Sequence, residues 1–286
     1  MKTQKKSKII LIIFIFLNLF LWGQILIGRE TEASFIMLDV GQGDSSLLIF
    51  ESGATIMTDA GPSRETTRAL DKVNLPRSKH IDLAVITHPE LDHYGGFSDV
   101  LDHYSIGGFI VNGRVPDGES LVWDDLISKI KARNIPMIVV SEGDIVRHGE
   151  NTIYILSPNP IFRESGAMND TGIVGHVFMS SSSILLTADT GSDVENYLMR
   201  QYDLRSDILK VGHHGSKYSS SKQFLEVVRS KIAVIGVGEE NRYGHPTEEV
   251  LGRLSAVMGK NIFRTDRNGT IRIKFQEGRA QVVMGQ

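Results

Sequence analysis

The chain has 286 residues, 31 basic and 34 acidic side chains, and no cysteine. Without a thiolate, disulfide-stapled folds and sulfur-ligated metal sites are excluded, and any metal must be held by His, Asp, Glu, other oxygen ligands and water. The formal charge of −3 argues against a generic basic nucleic-acid coat, so any polyanion contact must be local.

Lys2, Lys5, Lys6 and Lys8 precede a run from Ile9 to Gly28 that carries no charge and only two amides, Asn18 and Gln24. A run of that length spans a bilayer as a helix. Lysines before it, with Glu30 and Glu32 after it, predict a cytoplasmic N-terminus and an outer domain. The rivals are a buried core helix and a cleaved signal peptide, which gives a secreted protein. A signal peptide usually has an apolar core of about 7–15 residues, and no small-x-small cleavage site follows Ile27. The expected organisation is a basic tail over 1–8, a transmembrane signal anchor over 9–28 and one hydrolase domain over 34–286. Leaving out the four lysines of the tail, 27 basic side chains face 34 acidic ones, a balance of −7.

Beyond the anchor, Phe35 to Asp39 reads as a strand, and Asp39-Val40-Gly41-Gln42-Gly43-Asp44 as a glycine-bearing turn. Strands at 45–50 and 54–58 complete a meander that ends at Asp59-Ala60-Gly61-Pro62. Further strands are expected at 81–86, 108–112, 136–140, 152–156, 173–178, 183–187, 206–211, 232–236, 269–275 and 280–284. Helices are expected near 64–73, 96–103, 121–132, 192–202, 220–229 and 247–258. The last begins at Pro246-Thr247 with Glu248 and Glu249 in its first turn, where acids suit the helix dipole. Two strand-rich halves with helices between them predict two packed sheets with helices outside.

Four loops carry chemistry. His88, Glu90, Asp92 and His93 follow the apolar run 81–86 and precede Gly95-Gly96, so a strand end delivers four metal-competent side chains into one loop. The bland alternative is a solvated polar loop with a chance histidine pair. Asp189 follows the strand at 183–187; alone it reads equally as a helix cap, and with the first loop it can bridge two metals. His213 and His214 follow the strand at 206–211, where one can ligate metal while the other orients it or touches substrate. Asn241-Arg242-Tyr243-Gly244-His245-Pro246 is either a plain approach to a helix or a substrate-facing lip, with His245 as proton donor or outer ligand.

The order and spacing of His88-x-Glu90-x-Asp92-His93, Asp189 and His213-His214 resemble the metallo-β-lactamase superfamily. The closer resemblance is to the hydrolase domain of ComEC-type competence proteins, the DNA-uptake channels. It is carried by Leu38 to Asp44, Thr87 to Gly96, Asn169-Asp170-Thr171, Leu185 to Gly191, Leu209 to Ser216 and Asn241 to Pro246. It implies an α+β fold, a four-layer αββα sandwich with the site at one edge, a pair of divalent metals and phosphodiester cleavage. By the same resemblance His88, Glu90, Asp92, His93, Asp189 and His214 or His213 are metal ligands, with Asp170 standing where a further ligand is expected. Asp39, Asp44 and Asp59 would buttress the ligand loops, as carboxylates orient ligating imidazoles. Asp92, His213 and His245 are the candidates for catalysis, the last two as proton donors to the departing oxygen. Lys210, Ser216, Lys217, Asn241, Arg242 and Tyr243 are the candidates for substrate contact; the bland reading of the lysines, Lys222 included, is a solvated face.

The chain departs from the family pattern in three places. Glu90 replaces a His or Asp, which favours Mn²⁺ or Mg²⁺ over Zn²⁺. The isolated middle histidine is missing, with Asn169 and Asp170 in its place, and His176 nearby reads as a core or face residue. Gly236 replaces a serine. The expected function is a membrane-anchored, outward-facing, metal-dependent nuclease acting on single- or double-stranded DNA, with DNA-uptake machinery as a possible partner. The alternatives are a cell-wall phosphodiesterase such as a phosphorylcholine esterase, and an inactive, metal-poor binding module.

Overall fold

Alternation with period two builds the molecule. Phe35 and Met37 face one buried layer while Ile36 and Leu38, between and beside them, face another. A strand buried on both faces reads as a continuous apolar run, as this one does. The computed structural model describes residues 12–18, 31–164, 166–276 and 278–284. Residues 32–286 form one compact unit, separate from residues 1–31.

In chain order the strands of the first half are β1 (Ser34–Met37), β2 (Ser46–Ile49), β3 (Thr55–Thr58), β4 (His80–Ile81), β5 (Leu83–Ile86), β6 (Ser105–Ile106), β7 (Phe109–Val111) and β8 (Met137–Val139). Those of the second half are β9 (Ile145–His148), β10 (Asn151–Ser157), β11 (Val174–Met179), β12 (Ser182–Leu186), β13 (Ile208–Lys210), β14 (Ile232–Ile235), β15 (Ile262–Arg264), β16 (Ile271–Gln276) and β17 (Arg279–Met284). One sheet runs β17-β16-β1-β2-β3-β5-β7-β8 and the other β15-β14-β13-β12-β11-β10-β9, with β4 and β6 paired separately.

The two sheets pack face to face through Phe35, Leu48, Ile56, Val85 and Ile110 on one side and Ile153, Val177, Ile184, Ile208 and Val234 on the other. Helices Glu65–Asp71, Phe97–His103 and Leu121–Ala132 cover the outer face of the first sheet, over Ile36, Leu47, Met57 and Ile86. Helices Ser192–Gln201, Lys222–Val228 and Glu248–Met258 cover the second, over Leu185, Leu209, Ala233 and Ile235. The order helix, sheet, sheet, helix is the expected four-layer sandwich. Hydroxyl caps start three of these helices: Ser120, Ser221 and Thr247 accept hydrogen bonds from the amides of Trp123, Phe224 and Val250. Each such cap contributes about 1 kcal/mol.

Strands β3, β5, β7 and β8 pair in parallel, as do β12, β13, β14 and β15. Their carboxyl ends deliver Asp59, His88, Asp189 and the His213-His214 pair, the place where sheets of this kind present their ligand loops. Three strands escape the sequence pattern, the two-residue β6 among them. β9 is short and mostly exposed, so no buried run betrays it, and β15 has only three half-buried residues between a helix and a turn. The short helices Leu91–Tyr94, Pro160–Arg163 and Thr265–Asn268 are below the length at which a 3.6-residue period can be read.

Among the described residues no helix is long and apolar enough to cross a membrane. Of the expected span 9–28, only residues 12–18 are described, and they are helical; the rest of the span, and the basic tail 1–8, lie outside the described residues.

Candidate metal centre

Two loops of the first sheet and two of the second bring three imidazoles together, and hydrogen bonds fix which nitrogen of each points inward. The Asp59 carboxylate, at the end of β3, accepts from the Thr87 amide (2.9 Å), the Thr87 hydroxyl (2.8 Å) and His93 Nδ1 (2.8 Å). A carboxylate can only accept, so the proton on His93 lies at Nδ1 and Nε2 is left free. Thr87 spends its one hydroxyl proton on Asp59 and therefore accepts from His88 Nδ1 at 3.0 Å, which leaves His88 Nε2 free. His214 Nδ1 donates to the Gly236 carbonyl at 2.9 Å, so its Nε2 is free as well. All three Nε2 atoms, and Asp189 Oδ1, are buried without a hydrogen-bond partner. An orphaned buried polar atom costs about 1–3 kcal/mol; several converging on one spot are the signature of a cation site.

The distances agree. His93 Nε2 lies 3.3 Å and His214 Nε2 3.2 Å from Asp189 Oδ2, and Asp92 Oδ2 is 3.3 Å from His214 Nε2. Asp92, His93 and His214 form one group whose ligand atoms all lie within 4.8 Å of one another, and His88, His93 and Asp189 form a second. The donor set of nitrogens and carboxylates, with Asp189 central, fits a divalent metal pair; His88, His93 and Asp189 would hold one ion and Asp92, Asp189 and His214 the other. The metal-free electrostatics fit too. Burial opposes ionisation of Asp189, but His214, His93 and Lys210 hold it well below the usual carboxylate range. Burial likewise opposes charging of His93 and His214, yet the facing carboxylates, Asp189 first, raise both well above ordinary imidazole values. Against its own burial, Asp92 is held down to about 2 by the charge of His214, whose Nε2 lies 3.3 Å away, and of His93. Protons thus occupy the place of the metal when it is absent, as linkage requires.

The backbone bends sharply at the same spot. Asp59, Ala188, His213 and His214 all adopt positive φ, between 46° and 58°. Left-handed backbone costs a non-glycine residue roughly 1–2 kcal/mol, and such residues cluster at functional sites. Behind the cluster, Lys210 forms an ion pair with Asp44, donates to the Ala188 carbonyl at 2.9 Å and lies 3.5 Å from Asp189 Oδ1. A Cβ on Gly236 would sit 2.5 Å from Asp44 Oδ1 and 2.2 Å from Met37 Cε, so the serine expected there has no room.

Four expectations are corrected. Lys210 is 4 % exposed and committed to Asp44 and Asp189, so it does not contact a nucleic-acid backbone. Ser216 is buried, its hydroxyl accepting from the Tyr218 amide at 3.4 Å, and is not a substrate contact. Asp39 is exposed and accepts from the Gly41 amide in its own turn, away from the imidazoles. Asp170 belongs to no metal-competent group among the described residues; its Oδ1 accepts from the Gly191 amide at 3.0 Å, at the start of helix Ser192–Gln201. Asp59 hydrogen-bonds His93, and Asp44 Oδ1 lies 3.4 Å from His214 Nδ1.

The remaining candidates form the rim. Glu90 lies 3.8 Å from His88 Nε2. The Asn169 amide, turned so that its nitrogen meets an acceptor, donates to both Glu90 oxygens at 2.9 and 3.1 Å and presents its oxygen to His213. His213 is half-buried, and burial lowers its pKa against the pull of Asp189; His245 is lowered by burial and by its histidine neighbours. Asn241 braces the His245 backbone from both sides, accepting from its amide at 2.9 Å and donating to its carbonyl at 2.7 Å. Lys217, Arg242 and Tyr243 are exposed. His176, expected as a core or face residue, lies buried in β11 against Ser206. One side chain of the centre escaped the sequence reading: Thr87 sets the His88 tautomer and helps hold Asp59, a role visible only once Asp59 is beside it.

A family model described as the metallo-beta-lactamase superfamily matches residues 38–239. The chain is 27 % identical over 266 residues to ComE operon protein 3 of Bacillus subtilis, a match covering 86 % of this chain and 34 % of that protein. It is 29 % identical over 252 residues to competence protein ComA of Neisseria gonorrhoeae, covering 87 % and 33 % respectively. The chain therefore spans about a third of the length of these relatives. The metallo-beta-lactamase fold protein YhfI from Bacillus subtilis superposes with a TM-score of 0.55 at 11 % identity, over 89 % of this chain and 100 % of that one, a likeness of fold.

Proposed function

The chain belongs to the metallo-β-lactamase superfamily, a metal-dependent hydrolase with competence-protein relatives, and from that premise we propose that it is a phosphodiesterase that cleaves DNA outside the membrane. The observation that carries the reading is the convergence of three free imidazole Nε2 atoms on Asp189 at the seam of the two sheets. The names of the relatives supply the nucleic-acid part, and the exposed cations Lys217 and Arg242 on the rim, without a carboxylate partner among the described residues, suit a phosphate backbone. Glu90 at the mouth and the absence of sulfur ligands favour Mn²⁺ or Mg²⁺ over Zn²⁺.

A divalent pair, when bound, supplies the charge that polarises the phosphoryl oxygens and acidifies the attacking water. The chain does the rest. Asp59 and Thr87 lock the His93 and His88 rings with Nε2 inward, and the Gly236 carbonyl does the same for His214. The Lys210 ammonium, fixed by Asp44, keeps Asp189 ionised. His213, at the rim beside Asn169, is placed to hydrogen-bond an oxygen of the substrate. The run 9–28 and its flanking charges support anchorage with the domain outside; membrane fractionation of the full chain tests it, and recovery in the soluble cytoplasmic fraction would refute it.

Incubation of pure protein with Mn²⁺ and linear single- and double-stranded DNA tests the activity. Cleavage lost on chelation and in His93→Ala is expected. Hydrolysis of choline-phosphate esters with no cleavage of DNA would sink the nuclease reading and leave the cell-wall phosphodiesterase.

A further inference from the structure

We propose that Tyr218 and Tyr243 are base-stacking platforms that make the rim of the centre a track for single-stranded nucleic acid, with Lys217 and Arg242 on its phosphates. The proposal rests on the nuclease reading above and gives it a strand preference. Both rings stand out in solvent, Tyr218 at 69 % and Tyr243 at 57 % exposure. They lie on the loops after β13 and β14, parallel neighbours whose ends frame the centre. Each ring carries the preceding cation over it: Lys217 Nζ lies 5.1 Å from the Tyr218 centroid and Arg242 Cζ 5.6 Å from that of Tyr243. Among the described residues neither cation has a carboxylate partner, whereas Lys222 on the next helix has Glu226 at 3.8 Å.

The rings continue inward. Tyr243 stacks on His245 at 5.9 Å and 25°, His245 meets His213 edge-on at 5.5 Å, and His213 meets His214 at 6.1 Å. A chain of ring contacts, one stacked and two edge-on, therefore leads from the surface to a metal-competent side chain. The loops that bear it are pinned. Asn241 brackets His245 and also donates to the Gly238 carbonyl at 2.9 Å, and Arg253 donates to the carbonyls of Lys217 (3.1 Å) and Ser219 (3.0 Å). A pinned platform loses little freedom on binding. Every base offers a ring face, but in a duplex both faces are already stacked; only a single strand can use exposed tyrosines this way.

Steady-state kinetics on single-stranded and duplex oligonucleotides with Mn²⁺ decide the matter. Tyr218→Ala and Tyr243→Ala are each expected to raise KM for the single strand by at least about fivefold, the effect of one lost stack, while the duplex KM changes less. Tyr218→Phe and Tyr243→Phe are expected to keep the wild-type value, since the ring and not the hydroxyl does the work. Unchanged single-strand KM in the alanine variants overturns the proposal, and so does an equal loss in the phenylalanine variants. If the wild-type protein cleaves no nucleic acid, the nuclease reading fails on its own, and binding decides the proposal. A single strand containing 2-aminopurine, mixed with wild-type protein in chelator, is then expected to be quenched, and quenching is expected to be lost in the double alanine variant. Equal quenching by both proteins, or none by either, overturns it.

Discussion

Asp59 shows how much of the centre depends on a residue that touches no metal. Its two oxygens take three hydrogen bonds, from two groups of Thr87 and from His93. Asp59→Asn keeps the volume but replaces one acceptor with a donor. If its oxygen keeps the Thr87 hydroxyl and His93 Nδ1, which share Oδ2, its NH2 is set against the Thr87 amide; turned over, it is set against His93 Nδ1. Either way a donor of the ligand loop is left without an acceptor, and the hold on His93 loosens. Metal affinity is expected to fall about 10- to 100-fold, read by titration with Mn²⁺; an affinity equal to wild type would remove Asp59 from the account. The ligand loops were legible in the sequence because His, Asp and Glu crowd into strand ends, a pattern with few structural explanations. What the sequence could not carry was direction. Lys210 and Lys217 are seven positions apart and chemically identical, yet one is sealed under Asp44 and the other stands over Tyr218 in water. Whether a lysine meets solvent depends on what packs above it, and that is set by residues more than 160 positions away.

Among elements, the start of the parallel half of the second sheet has its own fastening. The Asp207 carboxylate accepts from the Ser183 amide at 3.0 Å and from Lys231 Nζ at 2.8 Å, tying the beginnings of β12, β13 and β14 together. Burial opposes its ionisation, but Lys231 and the Ser183 amide outweigh it and lower its pKa below the usual 3.8. A carboxylate held lower in the fold than in the unfolded chain adds stability above its unfolded pKa and loses it as pH falls through the folded value. Asp207→Asn is therefore expected to lower Tm by a few degrees at pH 7, about 1 kcal/mol. The gap to wild type is expected to close as the pH drops below about 3.8 in thermal melts. A gap that persists at acid pH would show that the packing of the side chain, and not its charge, matters. Elements buried on both faces, such as β1 and β13, were plain from their apolar runs. Edge strands β9 and β15 were not, because an edge strand has little to bury.

For the molecule as a whole, the centre lies where two sheets meet, so its occupancy bears on the stability of everything around it. An ion that binds the folded form alone stabilises by about 4 kcal/mol at a thousandfold excess over its dissociation constant. Mn²⁺ is accordingly expected to raise Tm by several degrees and chelation to reverse it, while His93→Ala shows neither effect; a Tm indifferent to Mn²⁺ would favour the metal-poor binding module. Two of the candidate ligands, Asp189 and His214, belong to the second sheet, and the others belong to the first. The nearest ligands across that divide, His93 and Asp189, are separated by about 100 residues, a span whose covalent closure would be worth roughly 4–5 kcal/mol. In a chain without cysteine, a shared ion is thus the one crosslink on offer. It would act as a disulfide does, slowing the parting of the halves, but it would be undone by chelators or acid and untouched by reductants.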